Sequence, residues 1–308
     1  MSRRIALIVC GALLLVAAGF WMSTHRQPQS PRDLIGGGDG GGLPRANPLD
    51  ERIDDAALER AVQDPSAQGL QAFLVMREGH IVFERYGAGL SAESMIDGGA
   101  FAQALLALAV GVAVNDGTLP PAAVQGFDPN MLRAAIETGT QQPYALYLSR
   151  KLWSRLNADP AWIARPAGAA AVPADCCLHA RVLDWMRVAS LLADNGRFEG
   201  KQLIPAGWVQ RMQRPVSLDA VRGFGVELAA AAHGAEPFAT RDLFFLRGPQ
   251  NWRLWLIPPL KLAVLFGAAA SSATWDETRL PNLVIRAVSD RPSEPGNATD
   301  LQRLVPGH

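Results

Sequence analysis

The sequence predicts an α/β fold of the α+β type, in which an antiparallel sheet is flanked by helices. Three observations predict it: a β-hairpin pattern at residues 72–86, an apolar helix pattern at residues 98–117, and three successive strand patterns within residues 242–266. Alternating apolar and polar residues are typical of strands, whereas an apolar run longer than about twelve residues favours a helix. Because strand patterns lie on both sides of the apolar helix, we expect one sheet in a single domain over residues 49–290.

The composition excludes some classes of partner and site. The 308 residues are 49% hydrophobic and include 29 basic and 29 acidic residues, so the formal net charge is zero. No basic run is longer than two residues, which argues against nucleic acid as a partner. Cys176 and Cys177 are adjacent, and we expect them to be thiols because neighbouring cysteines pair only through a strained ring. The sequence indicates no cofactor and no metal site.

The first 22 residues are predicted to be a signal peptide or a transmembrane signal anchor. Arg3 and Arg4 precede an uncharged apolar run over residues 5–22, and a helix of that length spans about 27 Å, close to the thickness of a bilayer core. We therefore expect the rest of the chain to be anchored in the inner membrane facing the periplasm, or to be exported. The membrane is thus an expected partner through this N-terminal segment.

Two further segments are expected to lie outside the folded domain. Residues 23–48 contain several prolines and the glycine-rich run from Gly36 to Gly42, and such sequences lose too much entropy on ordering to pack readily. They are interpreted as a tether between the membrane and the domain. Residues 291–308 are interpreted as a disordered tail.

Within the domain, the first elements are a short helix and a hairpin. Asp54 or Asp55 is predicted to cap a helix that runs to Gln63, because an aspartate side chain accepts hydrogen bonds from the free amides of a helix start. Glu78 and Gly79 separate two strand patterns and indicate a tight turn. Later patterns predict a helix that ends at residues 195–196, strands over residues 242–247, 252–257 and 262–266, and a closing helix over residues 276–288.

The central helix pattern, GGAFAQALLALAVGVAVNDG, is apolar on every side between Ala104 and Val114. A helix without a polar face is buried all round, so this helix is predicted to form the centre of the core. Gly117 stands where a helix end favours a residue that tolerates positive φ.

This helix and its neighbours resemble the nucleophile region of the serine β-lactamase and penicillin-binding-protein superfamily, in particular the class C-type branch with its esterases and 6-aminohexanoate-dimer hydrolases. The hairpin LVMREGHIVFERYG resembles the strand pair before the family's nucleophile, and DNGRFEGKQLIPAGW at residues 194–208 is the most family-specific stretch. The resemblance implies the β-lactamase-like antiparallel sheet flanked by helices. The family's helical insert is reduced here to a short proline-rich link after Gly117.

The resemblance also implies three catalytic motifs, and each of them is degenerate in this chain. The family's Ser-x-x-Lys pair falls on Ala100 and Gln103, its tyrosine on Val124, and its Lys-Thr-Gly or His-x-Gly motif on Pro249. Alanine has no nucleophile, glutamine does not exchange a proton near neutral pH, and valine has no hydroxyl. We therefore expect a pseudoenzyme, that is, a β-lactamase-related member of a serine hydrolase family without activity.

What remains of the site is expected to bind a ligand. Gly99 and Ala100 stand at a helix start, which favours anions, and Trp252 is a candidate for the wall of a cleft. The expected ligand is a small carboxylate, a peptide or a cell-wall component. Two alternatives stay open: an active serine hydrolase with an unidentified nucleophile, for which Ser91 and Ser94 are the nearest hydroxyls, and a decayed copy without function.

Overall fold

The computed structural model describes residues 32–165, 177–216, 218, 220–269 and 275–290. The predicted signal segment, residues 23–31 of the predicted tether and the predicted tail lie outside these ranges. The helices are α1 (Asp55–Val62), α2 (Phe101–Asn115), α3 (Pro129–Thr140), α4 (Tyr144–Leu148), α5 (Val182–Ala193), α6 (Ala206–Met212) and α7 (Arg279–Ala287). The strands are β1 (Arg32–Ile35), β2 (Leu70–Arg77), β3 (His80–Tyr86), β4 (Met95–Asp97), β5 (Ala161–Ala164), β6 (Leu178–Arg181), β7 (Arg197–Phe198), β8 (Lys201–Gln202), β9 (Glu227–Leu228), β10 (Phe244–Arg247), β11 (Arg253–Ile257) and β12 (Leu262–Ala268).

A six-stranded sheet with the order β3-β2-β12-β11-β10-β9 forms the centre of the molecule. All of its strand pairs are antiparallel. Strand β12 connects the early hairpin with the later strands of the sheet. Its Val264 lies opposite Trp255 of β11 on one side and Val75 of β2 on the other. The prediction that the hairpin and the three later strands share one sheet is therefore confirmed.

Helices cover both faces of this sheet, as predicted. Alternate residues of a strand point to opposite faces, and Leu74 and Met76 of β2 belong to a different core from Phe73 and Val75. The first core contains α2 and α5, and the second contains the terminal helices α1 and α7. Twelve of the fifteen residues of α2 are buried, which fits its uniformly apolar sequence.

A second, four-stranded antiparallel sheet has the order β1-β5-β6-β4 and does not follow from the sequence patterns. Its strands are only three or four residues long and come from distant parts of the chain. One face is buried through Ile35, Ile163 and Ala180, whereas residues between these positions are partly or fully exposed. The last strand of this sheet, β4, leads directly into the turn before α2.

The prediction of a tether that extends to residue 48 is wrong for residues 32–48, which pack on the domain. Strand β1 pairs with β5, and the glycines that follow lie against the segment after α4. A Cβ atom on Gly37 would stand 2.5 Å from the carbonyl oxygen of Ala158, and a Cβ atom on Gly38 would stand 2.5 Å from that of Ser154. These glycines therefore allow close contact between two backbone segments, which composition does not distinguish from flexibility.

A buried ion pair on α5 binds the same segment from the core side. Arg187 and Asp184, both on α5 and both 2% exposed, are joined by a contact of 3.2 Å between Nε and Oδ1. The guanidinium also donates to the carbonyl oxygens of Gly41 and Leu156. The buried Arg187 guanidinium thus fixes the glycine-rich segment to a core helix.

Across the described ranges, the structure has no helix with the length and apolar character needed to cross a bilayer.

Cys177 is disulfide-bonded, so the expectation of a free thiol at this position is wrong. The other two cysteines of the chain, Cys10 and Cys176, lie outside the described residues.

Candidate functional site

A cavity of about 530 Å³ lies at the N-terminal end of α2. Four parts of the chain form it: the start of α2, the approach to α3, the loop before β9 together with β9 itself, and the C-terminal end of β10. Its lining comprises Ala100, Gln103, Phe127, Pro129, Val216, Arg222, Gly223, Gly225, Val226, Glu227, Phe245, Leu246 and Arg247. Cavities of this size accommodate small organic ligands.

The turn from β4 into α2 determines where Ala100 lies. The Asp97 carboxylate accepts a hydrogen bond of 2.9 Å from the N–H of Gly99, whose φ of +50° is a conformation that favours glycine. A Cβ atom on Gly99 would stand 2.7 Å from Cδ of Pro249, so the turn packs directly on the segment after β10. Ala100 is the N-cap of α2 and, having only a methyl group, caps no helical amide.

The helix start presents one free backbone donor. The N–H groups of residues 101–103 bind the carbonyl oxygens of residues 98–100, with N···O distances of 2.9–3.0 Å. Within the described residues, the N–H of Ala100 has no hydrogen-bond partner. Gln103 follows one turn later and lines the same cavity. This N–H group and the positive end of the helix dipole favour an anion beside Ala100.

The opposite wall carries Arg247, which is held by two carboxylates. Its guanidinium contacts Glu277 at 2.9 Å and Glu227 at 3.5 Å, and it lies 4.9 Å from the ring centre of Phe245. The hydrogen bond with Glu277 raises the pKa of Arg247 above its usual value. Burial alone would raise the pKa of Glu277, but hydrogen bonds from Arg247 and Arg253 hold it below its ordinary value. Arg247 is therefore a fixed cation that is already neutralised.

Arg222 is different, because its guanidinium is exposed and has neither a hydrogen-bond nor an ion-pair partner among the described residues. It lies in the cavity lining next to Gly223. Its charge is thus available to a ligand, and the lining as a whole carries two arginines against one carboxylate, Glu227. The sequence did not single out Arg222, although its place before the glycines 223 and 225 is a signal for a loop that approaches another segment closely.

The lining lacks the groups that hydrolases use for covalent chemistry. Among the thirteen lining residues, all of them described, there is no hydroxyl, thiol, amine, imidazole or phenol. Glu227 is the sole carboxylate, and Arg247 lies beside it. Elsewhere in the described ranges, no group of three or more His, Cys, Asp or Glu side chains is arranged to hold a metal ion.

Comparison with known proteins identifies the fold that carries this cavity. No known family profile matches the sequence, and no curated protein matches it. Solved structures do match: a protein named as a 6-aminohexanoate-dimer hydrolase from Bacillus anthracis has a TM-score of 0.63 and 13% identity, covering 87% of this chain and 92% of that chain. The chain has the fold of the serine β-lactamase and penicillin-binding-protein superfamily.

Two further matches represent the named branches of this β-lactamase-like fold. A β-lactamase from Mycobacterium bovis has a TM-score of 0.57 and 14% identity over 75% of this chain and 99% of that chain. A penicillin-binding-protein homologue from Caulobacter crescentus has a TM-score of 0.54 and 14% identity over 83% of this chain and 100% of that chain. At these identities the likeness establishes the fold, and the predicted resemblance is confirmed at that level.

The structure brings some of the predicted positions of the β-lactamase-like site together and separates others. Ala100 and Gln103 line the cavity, and Pro249 lies against Gly99 at its edge. Val124 does not line the cavity: it is buried, and its carbonyl oxygen accepts a hydrogen bond from Arg211. Phe127, three residues later, lies in the lining instead.

Trp252, predicted for the wall of the cleft, and the alternative hydroxyls of Ser91 and Ser94 lie outside the cavity lining. Trp252 does not line the cavity and is 5% exposed, because it packs in the core against Gly248 and Gly267. Ser91 and Ser94 form a turn in which the Ser94 hydroxyl accepts a hydrogen bond of 2.9 Å from the Ser91 N–H. Neither serine lines the cavity, so their position favours a structural role.

Proposed function

We propose that this protein is a β-lactamase-related binding protein that does not hydrolyse its ligand. The observation that carries the proposal is the lining of the cavity, in which Ala100 and Gln103 occupy one turn of α2 and no lining side chain can act as a serine-type nucleophile. Loss of a nucleophile removes rate enhancement on the order of 10⁶, and a remaining oxyanion site supplies only about 10³–10⁴ over water.

A carboxylate-based mechanism has little support from the same lining. Retaining and inverting glycosidases both need a pair of carboxyl groups on opposite sides of the bond that is cleaved. Glu227 is the one carboxylate of the lining, and the Arg247 guanidinium lies 3.5 Å from it. This ion pair holds the carboxylate against the wall of the cavity, beside a group of opposite charge.

The ligand that fits the cavity best is a small organic anion, such as a carboxylate on a peptide or on a cell-wall fragment. Arg222 offers an unpaired guanidinium, and Ala100 offers a backbone N–H at a helix start. Phe127, Val226 and Leu246 provide apolar surface for the rest of the ligand. The protein is placed outside the cytoplasm in this proposal, tethered by residues 5–22, on the basis of the apolar sequence alone.

Covalent labelling tests the absence of a nucleophile directly. The purified protein is incubated with a fluorophosphonate and with a fluorescent penicillin, and adducts are located by peptide mass spectrometry. We expect no adduct on a cleft residue and no turnover of β-lactams or esters above background. An adduct at any residue in or beside the cavity would identify a nucleophile and replace this proposal by the alternative of an active serine hydrolase.

A pair of variants provides the matched control. Ala100→Ser alone is expected to leave the protein unlabelled, because catalytic groups that act together are strongly non-additive. Ala100→Ser combined with Gln103→Lys restores a hydroxyl and an amine on one turn of α2, and slow labelling at residue 100 is expected. Labelling of the double variant but not of the wild type shows that the probes reach the cavity.

A further inference from the structure

We propose that the exposed face of the four-stranded sheet docks on the surface of the lipid bilayer. This face, called the outer face here, contains Arg32, Leu34, Trp162 and His179 and ends at Asp97. The inference goes beyond ligand binding in the cavity, but it rests on the proposed N-terminal membrane anchor. It states which side of the domain faces the lipid.

Strand pairing aligns these residues in a row across the sheet. Leu34 of β1 lies opposite Trp162 of β5, Trp162 lies opposite His179 of β6, and His179 lies opposite Asp97 of β4. Leu34 is 68% exposed, and the side chains of Trp162, His179 and Asp97 are partly exposed. Since the opposite face of the sheet is buried in the core, the outer face is the side that remains for a partner.

The aromatic and cationic groups on the outer face are stacked together. The Trp162 and His179 rings are nearly parallel, at 14°, with 5.4 Å between their centres, and the Arg32 guanidinium lies 5.2 Å from the Trp162 ring centre. Tryptophan is enriched at membrane interfaces because it combines an apolar ring with an N–H donor. Arginine binds lipid phosphates, and a cation is attracted to an anionic leaflet.

Acidic groups on the four strands oppose this attraction only weakly. Asp33 alternates with Arg32 and Leu34 along β1, and its carboxylate contacts Arg165 at 2.5 Å and Arg133 at 3.8 Å. Asp97, at the far end of the row, accepts the hydrogen bond from Gly99. Near the N-terminal strand, the outer face therefore presents a cation beside an exposed leucine and a tryptophan.

The chain before β1 keeps this face close to the membrane. Nine residues, 23–31, separate the apolar run from Arg32. A chain of nine residues reaches about 30 Å at most. Strand β1 is the part of the described domain that lies next to this connection, so its exposed side chains meet the interface first.

The orientation also places the cavity beside the membrane. The row of the outer face ends at Asp97, and Ala100 follows three residues later in the cavity lining. Neighbouring strands are about 4.8 Å apart, so β4 lies about 14 Å across the sheet from β1. A ligand delivered at the membrane surface would thus enter a cavity that borders the docked face.

Tryptophan quenching by brominated lipids tests the docking. The full-length chain, with Trp21 of the apolar run replaced by phenylalanine, is reconstituted into nanodiscs of anionic lipid with and without bromine on the acyl chains. We expect brominated lipid to quench part of the emission, and Trp162→Phe to remove that quenched component. Trp275→Phe is the matched control, because Trp275 is also partly exposed but stacks on Phe266 near the terminal helices.

A second pair of variants tests the contact itself. Leu34 and Leu49 are both 68% exposed, and Leu49 lies outside the four-stranded sheet. Leu34→Asp is expected to abolish the quenching of Trp162, and Leu49→Asp is expected to leave it unchanged. Protein that floats with the nanodiscs but shows no Trp162 quenching, or equal quenching in both variants, overturns the docking and leaves the anchor intact. Protein that does not float overturns the anchor together with the docking.

Discussion

Arg187 and Arg222 show how one residue type serves two purposes in this molecule. Arg187 is buried at the base of the glycine-rich segment, where Asp184 and the carbonyl oxygens of Gly41 and Leu156 bind its guanidinium. Arg222 is exposed in the cavity, and its guanidinium has no partner within the described part of the chain. The two arginines differ in burial and in hydrogen-bond partners. These two properties, and not the presence of the charge, separate a structural arginine from a candidate ligand-binding one.

The largest effect is expected when the buried arginine is removed. Arg187→Met leaves the Asp184 carboxylate without its cation and frees the carbonyl oxygens of Gly41 and Leu156. Breaking a buried pair in this way costs about 3–5 kcal/mol of unfolding free energy. Urea unfolding monitored by tryptophan fluorescence measures the change. Arg222→Met is the control and is expected to stay within about 0.5 kcal/mol of the wild type.

The same contrast shows how much of the molecule could be predicted. Helix α2 and five strands of the six-stranded sheet were predictable, because long apolar or alternating runs indicate which residues are buried. The two-residue strand β9 is too short to show such a pattern. The four-stranded sheet was not, because strands such as β1 and β4 are too short to show a period and pair only through distant contacts. The tether was misassigned because composition does not reveal the close packing of Gly37.

The candidate site was predictable at the helix and not beyond it. Ala100 and Gln103 were located by counting back along α2 from Asp116 and Gly117, across a helix in which the spacing of residues is regular. Val124 was placed through a loop, where the spacing carries no such constraint, and the chain instead brings Phe127 to the cavity. Arg222 has no local signature for binding, because the absence of a partner is a property of the folded molecule.

A glycine pair tests whether the segment after β1 is packed or free. Gly37→Ala would place Cβ 2.5 Å from a backbone oxygen of Ala158, which forces the two segments apart and is expected to cost about 1–3 kcal/mol. Gly42→Ala is the matched control, since its nearest heavy atom is the flexible Arg45 guanidinium at 3.5 Å. Chemical denaturation of both variants gives the comparison, and equal stability would restore the flexible tether.

A smaller effect concerns pH. Burial raises the pKa of Asp184 to about 6, although the hydrogen bond from the Asp159 N–H and the charge of Arg187 oppose this shift. The unfolded carboxyl titrates near 3.9, so the folded state binds more protons between about pH 4 and pH 6. This component of stability therefore falls as pH rises through that window, by at most about 1.4 kcal/mol per pH unit.

Asp184→Asn isolates the contribution of this carboxyl. The variant is expected to lose the component that falls between about pH 4 and pH 6, so its unfolding free energy rises relative to that of the wild type over the window. Carboxyls with lowered pKa values, such as Glu277 and Asp116, make the unfolding free energy rise with pH. They are common to both proteins, so they do not affect the difference. A pH-independent difference between the two proteins would contradict the assignment.

The smallest effect on stability, and the one most specific for function, is expected at Arg222. Arg222→Met removes an exposed charge whose guanidinium has no described partner, so the fold should be unaffected, whereas binding of an anion in the cavity should be lost. Isothermal titration with N-acetyl-dialanine and with its C-terminal amide separates the carboxylate from the rest of the ligand. The wild type is expected to prefer the acid by about tenfold or more, since a hydrogen bond to a charged group contributes about 1.5–3 kcal/mol. Arg150→Met, at another exposed arginine for which the described residues offer no ion pair, should keep this preference. Equal binding of acid and amide by the wild type, or an unchanged preference in Arg222→Met, would show that the unpaired guanidinium does not select the ligand.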